Sequence, residues 1–454
     1  MENICVIGLG YIGLPTAAVF ARAGCSVLGV DINSNIVSTL NQGLVHIEEA
    51  GLNDIVSKAV QSGKLRAATK PASSDVYIIA VPTPIHEDFS ANVDAVVSAA
   101  QSILPYLEKG NIVIVESTIP PGTIQHVIAP IFEKAGWDPG NNDIYLSYCP
   151  ERVLPGKILY ELINNTRIVG GYTREAALEA AEIYKLVVKG AVIETGAPAA
   201  EMAKLMENTF RDVNIALANE LAKISKALNV NAHEVIELAN KHPRVNIHQP
   251  GPGVGGHCLA VDPYFIVEKA ADQAQLIKLA REINQSMPSF VARHVEFLVS
   301  ELRRPKVALL GLAYKGNSDD CRESPAIKVY RLLKELKGLQ ISVYEPFVNQ
   351  EKVNINLVQL KEALSDAHLA VVLTDHKEFK QLDSRIFIEN MKTPVIFDTK
   401  NCINIKNDEV KIYKIGDLNG IETINESFAH SKPIKKNISL KYTINEKKVN
   451  NIYK

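Results

Sequence analysis

Gly251-Pro252-Gly253-Val254-Gly255-Gly256-His257-Cys258 sets one thiol at the end of a loop built largely of glycine and proline, and Asp262 follows it at i+4. Backbone without Cβ atoms can close around a ligand. A thiolate framed in this way can add to an aldehyde, lose a hydride from the resulting thiohemiacetal and leave a thioester for water to cleave. An isolated cysteine is more often an inert core residue; the glycine frame and Asp262 argue for chemistry here. Upstream, Lys204, Asn208 and Arg211 stand at i, i+4 and i+7, one face of a helix. Charges on a helix usually mark a solvated face, but an amide between two cations suits an anionic ligand and a developing oxyanion. The run Pro150-Glu151-Arg152-Val153-Leu154-Pro155-Gly156 brackets a carboxylate and a guanidinium in another loop. Glu151 can position or deprotonate water there and Arg152 can meet a phosphate or hydroxyl, with a surface ion pair as the plainer alternative. His242-Pro243-Arg244 stands just before the glycine loop, Pro243 holding His242 extended.

A second set of residues points to a nucleotide. Gly8-Leu9-Gly10-Tyr11-Ile12-Gly13 follows the apolar run Asn3–Ile7 and opens a helical pattern. The first glycine permits the turn, the second lets backbone approach a pyrophosphate, and the third lets helix and strand pack closely. The helix N-terminus then offers N–H groups to the anion. Asp31 ends the next apolar run, where a carboxylate accepts hydrogen bonds from ribose hydroxyls and repels a 2′-phosphate. With Ile32 and Asn33 following instead of arginine, NAD is expected over NADP. Thr83 in Val81-Pro82-Thr83-Pro84 and Thr118 in Glu116-Ser117-Thr118 stand at strand tips on the same edge and read as cofactor contacts.

These residues need elements to hold them. In the first third, Ile4–Gly8, Ser26–Asp31, Val76–Val81, Ile112–Ser117 and Ile144–Tyr148 read as buried strands, alternating with amphipathic stretches such as Leu14–Ala23 and Val93–Leu107. That alternation predicts βαβ units and a parallel sheet covered on both faces. The middle is helical: no proline or glycine interrupts Ala199–Asn229, and more helix follows over Ala232–Lys241 and from Pro263 toward Leu302. The α/β pattern restarts with strands at Lys306–Leu312, Leu339–Tyr344, Leu369–Thr374 and Val395–Asp398, and a helix at Ala326–Lys337. The expected fold is α/β: two Rossmann-like doubly wound domains joined by a helical middle with a long central helix. Boundaries are placed at 1–190, 191–302 and 303–420, with a polar tail over 421–454.

A chain of 454 residues is too long for one ordinary core. Its 49 basic and 51 acidic side chains leave a net charge of −2, with no excess of positive charge to attract nucleic acid or a membrane surface. The six cysteines form no CxxC pair, which argues against a metal site or a disulfide framework and fits a reducing cytosol. Asn3–Ala21 carries no charge, but four glycines or prolines break it and no basic cluster precedes it. It reads as neither signal peptide nor membrane anchor, and a cytoplasmic protein is expected. The tail holds seven lysines against three glutamates and no strong period, and is expected to be mobile or loosely docked.

Together the motifs resemble the UDP-glucose/GDP-mannose dehydrogenase family over about Ile4–Lys400. Within the family, Tyr148–Gly156, Asn208–Ala216 and His242–Cys258 resemble the branch that oxidises UDP-N-acetyl-D-mannosamine. UDP-N-acetyl-D-glucosamine dehydrogenases share much of this pattern and stay open as an alternative. The resemblance implies a four-electron oxidation of the sugar C6 from alcohol through aldehyde to carboxylate, with NAD as acceptor. It implies Cys258 as the nucleophile and Lys204 as an acid/base that steadies the oxyanion beside Asn208. Asp262 would orient Lys204 and water, with Glu151 and Thr118 supporting thioester hydrolysis. Gly8, Gly10, Tyr11, Ile12, Gly13, Asp31, Thr83, Thr118 and Arg322 would meet NAD. The UDP-sugar would lie against Arg152, Val153, Lys204, Asn208, Arg211, His242, Arg244 and Gly255, with Tyr314, Lys315 and Lys400 at the uridine diphosphate. No metal is implied, and family members pair through the long helix as homodimers. A two-electron hydroxy-acid dehydrogenase needs neither the cysteine nor a third domain, and a non-catalytic sensor has no use for intact Lys204, Asn208, Cys258 and Asp262.

Overall fold

A computed structural model describes residues 2–154, 156–421 and 423–424 of the chain. The tail expected over 421–454 lies, from residue 425 onward, outside the described residues. By its contacts the chain forms two compact units. Among the described residues, one holds those up to Glu220 with Asn246–His248 and Val254–Gln285; the other holds Leu221–Val245, Gln249–Gly253 and those from Ser286 on.

The first unit is built on an eight-stranded sheet: β1 (Asn3–Ile7), β2 (Ser26–Val30), β3 (Leu65–Ala68), β4 (Val76–Ile79), β5 (Ile112–Val115), β6 (Tyr145–Tyr148), β7 (Arg167–Gly171) and β8 (Val192–Gly196), in the order β3-β2-β1-β4-β5-β6-β7-β8. All pairs are parallel except β6 with β7. The cores of β4 and β5, Val-Tyr-Ile-Ile and Ile-Val-Ile-Val, are buried throughout because helices cover both faces. Alternate residues supply the two faces. Val6, Ile78 and Ile114 pack with Leu14 and Phe20 of the helix Gly13–Arg22 on one side. Ile7, Ile79 and Val115 pack with Val96, Ile124 and Phe132 on the other.

In the second unit β9 (Lys306–Leu310), β10 (Gln340–Tyr344), β11 (Leu369–Val372), β12 (Val395–Asp398) and β13 (Lys411–Lys414) form an all-parallel sheet in the order β10-β9-β11-β12-β13. Both doubly wound domains and the helical middle expected from the sequence are present. Four strands are additional: β3, β7, β8 and β13. Leu-Arg-Ala-Ala in β3 has little β-propensity. In β7 a Cβ on Gly170 would stand 2.6 Å from the Ala200 Cβ, so glycine there serves close packing of a helix.

That helix runs unbroken over Ala197–Leu228, 32 residues, with Pro198 in its first turn where a missing N–H is harmless. Asn229 ends it in the left-handed region (φ 55°), and the Val230 N–H donates to the Ser225 carbonyl at 3.0 Å, closing the last turn. Shorter helices follow at Ala232–Ala239, Asp262–Lys269 and Gln275–Val299. No helix among the described residues is long and apolar enough to cross a membrane.

Candidate active site

The glycine fingerprint has the geometry of a phosphate turn. Gly8 takes φ +92°, and a Cβ on Gly13 would stand 1.8 Å from the Gly8 carbonyl oxygen, so neither tolerates a side chain. A Cβ on Gly10 would meet nothing within 4 Å, which leaves room for a ligand against the backbone. Ile12 caps the following helix without a side-chain hydrogen bond, so no side chain occupies the place where an anion would sit at its N-terminus. Asp31 holds the turn: its carboxylate accepts from the Leu9 N–H at 3.0 Å and the Asn33 N–H at 2.9 Å. Ser117 donates to the Val81 carbonyl at 2.7 Å and so ties the strand tips that carry Thr83 and Thr118. The Thr83 Oγ1 is buried with no protein partner, and Tyr11 is exposed beside the turn. An orphan hydroxyl, an open glycine and an uncapped helix on one sheet edge are features a dinucleotide would satisfy.

The thiol is placed by the helix that follows it. The Cys258 carbonyl accepts from the Asp262 N–H at 2.8 Å and the Val261 N–H at 3.0 Å, so a half-buried Cys258 precedes that helix by one turn. Asp262 is buried and accepts from the Asn208 side-chain amide at 2.6 Å. Burial pushes its carboxyl up to about 6, a rise that the Lys204 cation and the Asn208 hydrogen bond hold in check. Lys204 and Asn208 are buried while Arg211, on the same face, is exposed. Leu205 packs with Ala260, Val261, Phe265 and Ile266, which fixes the long helix against the thiol segment. The Lys204 cation, the Asn208 amide and the Asp262 carboxyl thus come together at the start of the helix that follows Cys258.

Glu151 is buried at the end of β6, where its Oε1 accepts from the Arg152 N–H at 2.6 Å and its Oε2 pairs with Arg167 at 2.8 Å. The Arg152 side chain is engaged elsewhere: it forks onto Glu207 of the long helix, with Nε at 3.0 Å and Nη2 at 2.5 Å. Val153 packs with Val19, Ile158 and Leu162. Gly255 is buried in the same unit.

The remaining candidates belong to the second unit. His242 and Arg244 are exposed, with the Arg244 N–H donating to His242 Nδ1 at 3.3 Å. Tyr314 and Lys315 stand on the long turn after β9, where the Tyr314 N–H donates to the Asp320 carbonyl at 3.1 Å. Arg322 forks onto the Asp320 carboxylate, and Lys400 pairs with Asp375 at 3.7 Å. Arg167 and Glu207 carried no signal in the sequence, because their partners lie far away along the chain at no helical or strand period. Glu201 is a further such residue: buried on the long helix, it accepts the N–H groups of Gly122 and Ile124 and anchors the segment after Thr118.

Comparison with known proteins matches this architecture. Residues 2–188 fit the NAD binding domain of the UDP-glucose/GDP-mannose dehydrogenase family, 198–286 its central domain and 308–405 its UDP binding domain. A UDP-N-acetyl-D-mannosamine dehydrogenase of Methanocaldococcus jannaschii is 46% identical over 425 residues, 92% of this chain and 97% of its own. An NDP-N-acetyl-D-galactosaminuronic acid dehydrogenase of Ralstonia solanacearum is 44% identical, covering 89% of this chain and 97% of its own. The solved UDP-N-acetyl-mannosamine dehydrogenase of Staphylococcus aureus shares 50% identity and superposes with a TM-score of 0.85 over 92% of this chain and 99% of its own. NAD is therefore the dinucleotide that the fingerprint fits, and a UDP-sugar is the substrate class. The chain belongs to the UDP-glucose/GDP-mannose dehydrogenase family of NAD-dependent nucleotide-sugar oxidoreductases.

Proposed function

We propose that this enzyme oxidises UDP-N-acetyl-D-mannosamine at C6 to UDP-N-acetyl-D-mannosaminuronate, a precursor for cell-surface polysaccharide or glycan. The observation that carries the chemistry is the 2.6 Å hydrogen bond from Asn208 to Asp262, which joins the Lys204 helix to the segment behind Cys258. Gly8, Gly10, Tyr11, Ile12, Gly13, Asp31, Thr83, Thr118 and Arg322 would hold NAD, which when bound would supply the hydride acceptor for two oxidations. Lys204 takes the C6 hydroxyl proton, and with Asn208 it steadies the oxygen as charge develops. The Cys258 thiolate bonds to the aldehyde carbon, giving a thiohemiacetal whose oxidation leaves a thioester. Asp262 near neutrality exchanges protons with Lys204 and water, while Glu151 and Thr118 hold the water that attacks the acyl carbon. The C–S bond breaks and Cys258 regains its proton. One alcohol, one water and two NAD become one carboxylate, two NADH and three protons.

The UDP-sugar contacts proposed are Arg152, Val153, Lys204, Asn208, Arg211, His242, Arg244 and Gly255, with Tyr314, Lys315 and Lys400 at the diphosphate and uridine. The work divides over an NAD domain at 1–190, a helical domain at 191–302, a UDP domain at 303–420 and the tail beyond. Support for a homodimer comes from the long helix, which leaves Met202, Met206, Phe210, Leu217, Ile224 and Leu228 exposed along one face. A second copy covers such a stripe most simply. Phe210→Glu is expected to convert a dimer to monomers in sedimentation; a wild-type monomer contradicts the pairing. We place the enzyme in the cytoplasm, where reducing conditions keep Cys258 a thiol.

The sugar is tested by comparing kcat/KM for UDP-N-acetylmannosamine and UDP-N-acetylglucosamine. A preference of tenfold or more for the first is expected, on the order of one well-made polar contact; a preference for the second transfers the same mechanism to the other epimer.

A further inference from the structure

Behind the strand tips lies a buried charge cluster of which the proposed reaction uses only Glu151. Arg167, the first residue of β7, stands 2.8 Å from Glu151 and 3.9 Å from Glu116, and the three side chains are 7%, 7% and 0% exposed. Its guanidinium carbon lies 5.0 Å from the centre of the Tyr184 ring, and an Nη approaches the Cys149 sulfur at 3.9 Å. Glu116 accepts from the Tyr184 hydroxyl at 2.7 Å and from Thr16 of the fingerprint helix at 3.2 Å. One cation therefore serves two dry carboxylates. Burial pushes Glu116 up, against the pull of Arg167.

Stability does not explain this arrangement well, since buried ion pairs contribute little beyond what apolar packing of the same volume would. Geometry explains it better. The Arg152 N–H holds one oxygen of Glu151, and Arg167 stands 2.8 Å from the other as an ion pair without a hydrogen bond. Glu151 Oε2 is therefore a buried acceptor with its lone pairs unspent, which a water would satisfy. Lysine, a point charge on a flexible stem, would keep the charge but could not span Glu151, Glu116 and the Tyr184 face at once.

We propose that Arg167 is a positioning residue for the hydrolytic half of the reaction: spanning Glu151 and Glu116, it keeps the Glu151 carboxylate in place so that its unpartnered Oε2 holds the water that cleaves the thioester. This rests on the role given above to Glu151. In the step concerned, the water oxygen bonds to the acyl carbon, the C–S bond breaks and a proton returns to the thiolate. Both hydride transfers precede it, so the oxidations do not need Arg167.

Rapid mixing of wild type, Arg167→Lys, Arg167→Met and Glu151→Gln with NAD and UDP-N-acetylmannosamine separates the phases, with NADH followed by absorbance and the acyl-enzyme by intact mass. Arg167→Lys is expected to keep the initial NADH burst and to lose steady-state turnover by about tenfold or more. Sugar mass is then retained on Cys258. Arg167→Met leaves two buried carboxylates without their cation and is the variant at risk of unfolding, so Arg167→Lys decides. If that variant slows burst and turnover by the same factor, or turns over like wild type, the proposal is overturned. Wild-type turnover in Glu151→Gln would instead remove the Glu151 reading on which it stands.

Discussion

The two sheets of this chain begin in the same way and diverge within a few residues. β1 lies between β2 and β4, and β9 lies between β10 and β11, so each leads its sheet from an equivalent place. Each is followed by a left-handed glycine, Gly8 at φ +92° and Gly311 at +94°. Each neighbouring strand then delivers an acid to the turn. Asp31 accepts from the Leu9 and Asn33 N–H groups, and Glu345 accepts from those of Leu312, Ala313 and Phe347. In the first sheet the helix opens at Gly13 without a side-chain cap, and Asp31 stays partly exposed. In the second the helix waits until Pro325, where Ser324 caps it and also donates to the Leu312 carbonyl at 2.6 Å. Glu345 is buried against His376 at 3.2 Å, under a Phe347 ring stacked on that histidine at 4.9 Å. One turn is left open for a ligand; its counterpart is closed by the protein itself. A glycine turn with an acid beside it is thus a structural device, and what stands at the helix N-terminus decides whether it binds a dinucleotide.

The largest test of this contrast is at the third fingerprint glycine. Gly13→Ala drives a Cβ into the Gly8 carbonyl and is expected to weaken NAD binding about 100-fold or more, measured by calorimetry. Gly316→Ala meets the Asp375 carbonyl at 2.4 Å but should leave NAD affinity within about twofold. Next in size is the acid pair. Asp31→Asn should cost roughly 10- to 100-fold in NAD affinity and narrow the preference over NADP, as expected for charged hydrogen bonds. Glu345→Gln should instead lower the melting temperature by a few degrees without touching NAD. Equal effects of the two on NAD would erase the distinction.

Smaller effects should appear in the pH dependence of stability, and with opposite signs. His376 and the turn N–H groups hold Glu345 below the usual carboxylate range despite its burial, so its contribution is present above that range and lost on acidification. Burial raises Asp262 to about 6, so the stability linked to it is full below the ordinary carboxylate range and lost as pH rises through about 6. Asp262→Asn should therefore melt higher than wild type at pH ~8 and show little difference at pH ~4. An unchanged melting curve at both pH values would show that the buried carboxyl carries no such cost.

Much of this was legible in the sequence, for reasons that also explain the gaps. Ile-Val-Ile-Val in β5 has one reading, a strand buried on both faces. Lys204 and Asn208 share a helical face, and Cys258 and Asp262 share one turn, so local spacing was enough to pair them. Arg-Ile-Val-Gly-Gly in β7 hides a strand behind two glycines whose purpose is close packing. The fork of Arg152 on Glu207 spans 55 residues, and no periodicity links them. The Glu116-Ser117-Thr118 run was visible as a strand tip, while the burial of Glu116 beside Arg167 is a property of three strands and a helix together.

The central claim is a four-electron oxidation through Cys258. The most direct measurement is the yield of NADH and uronate from limiting UDP-N-acetylmannosamine with excess NAD, for wild type and Cys258→Ala. Two NADH and one uronate per sugar from wild type, with no uronate from the variant, is the predicted result. One NADH per sugar from wild type, or uronate from the variant at wild-type yield, would contradict it.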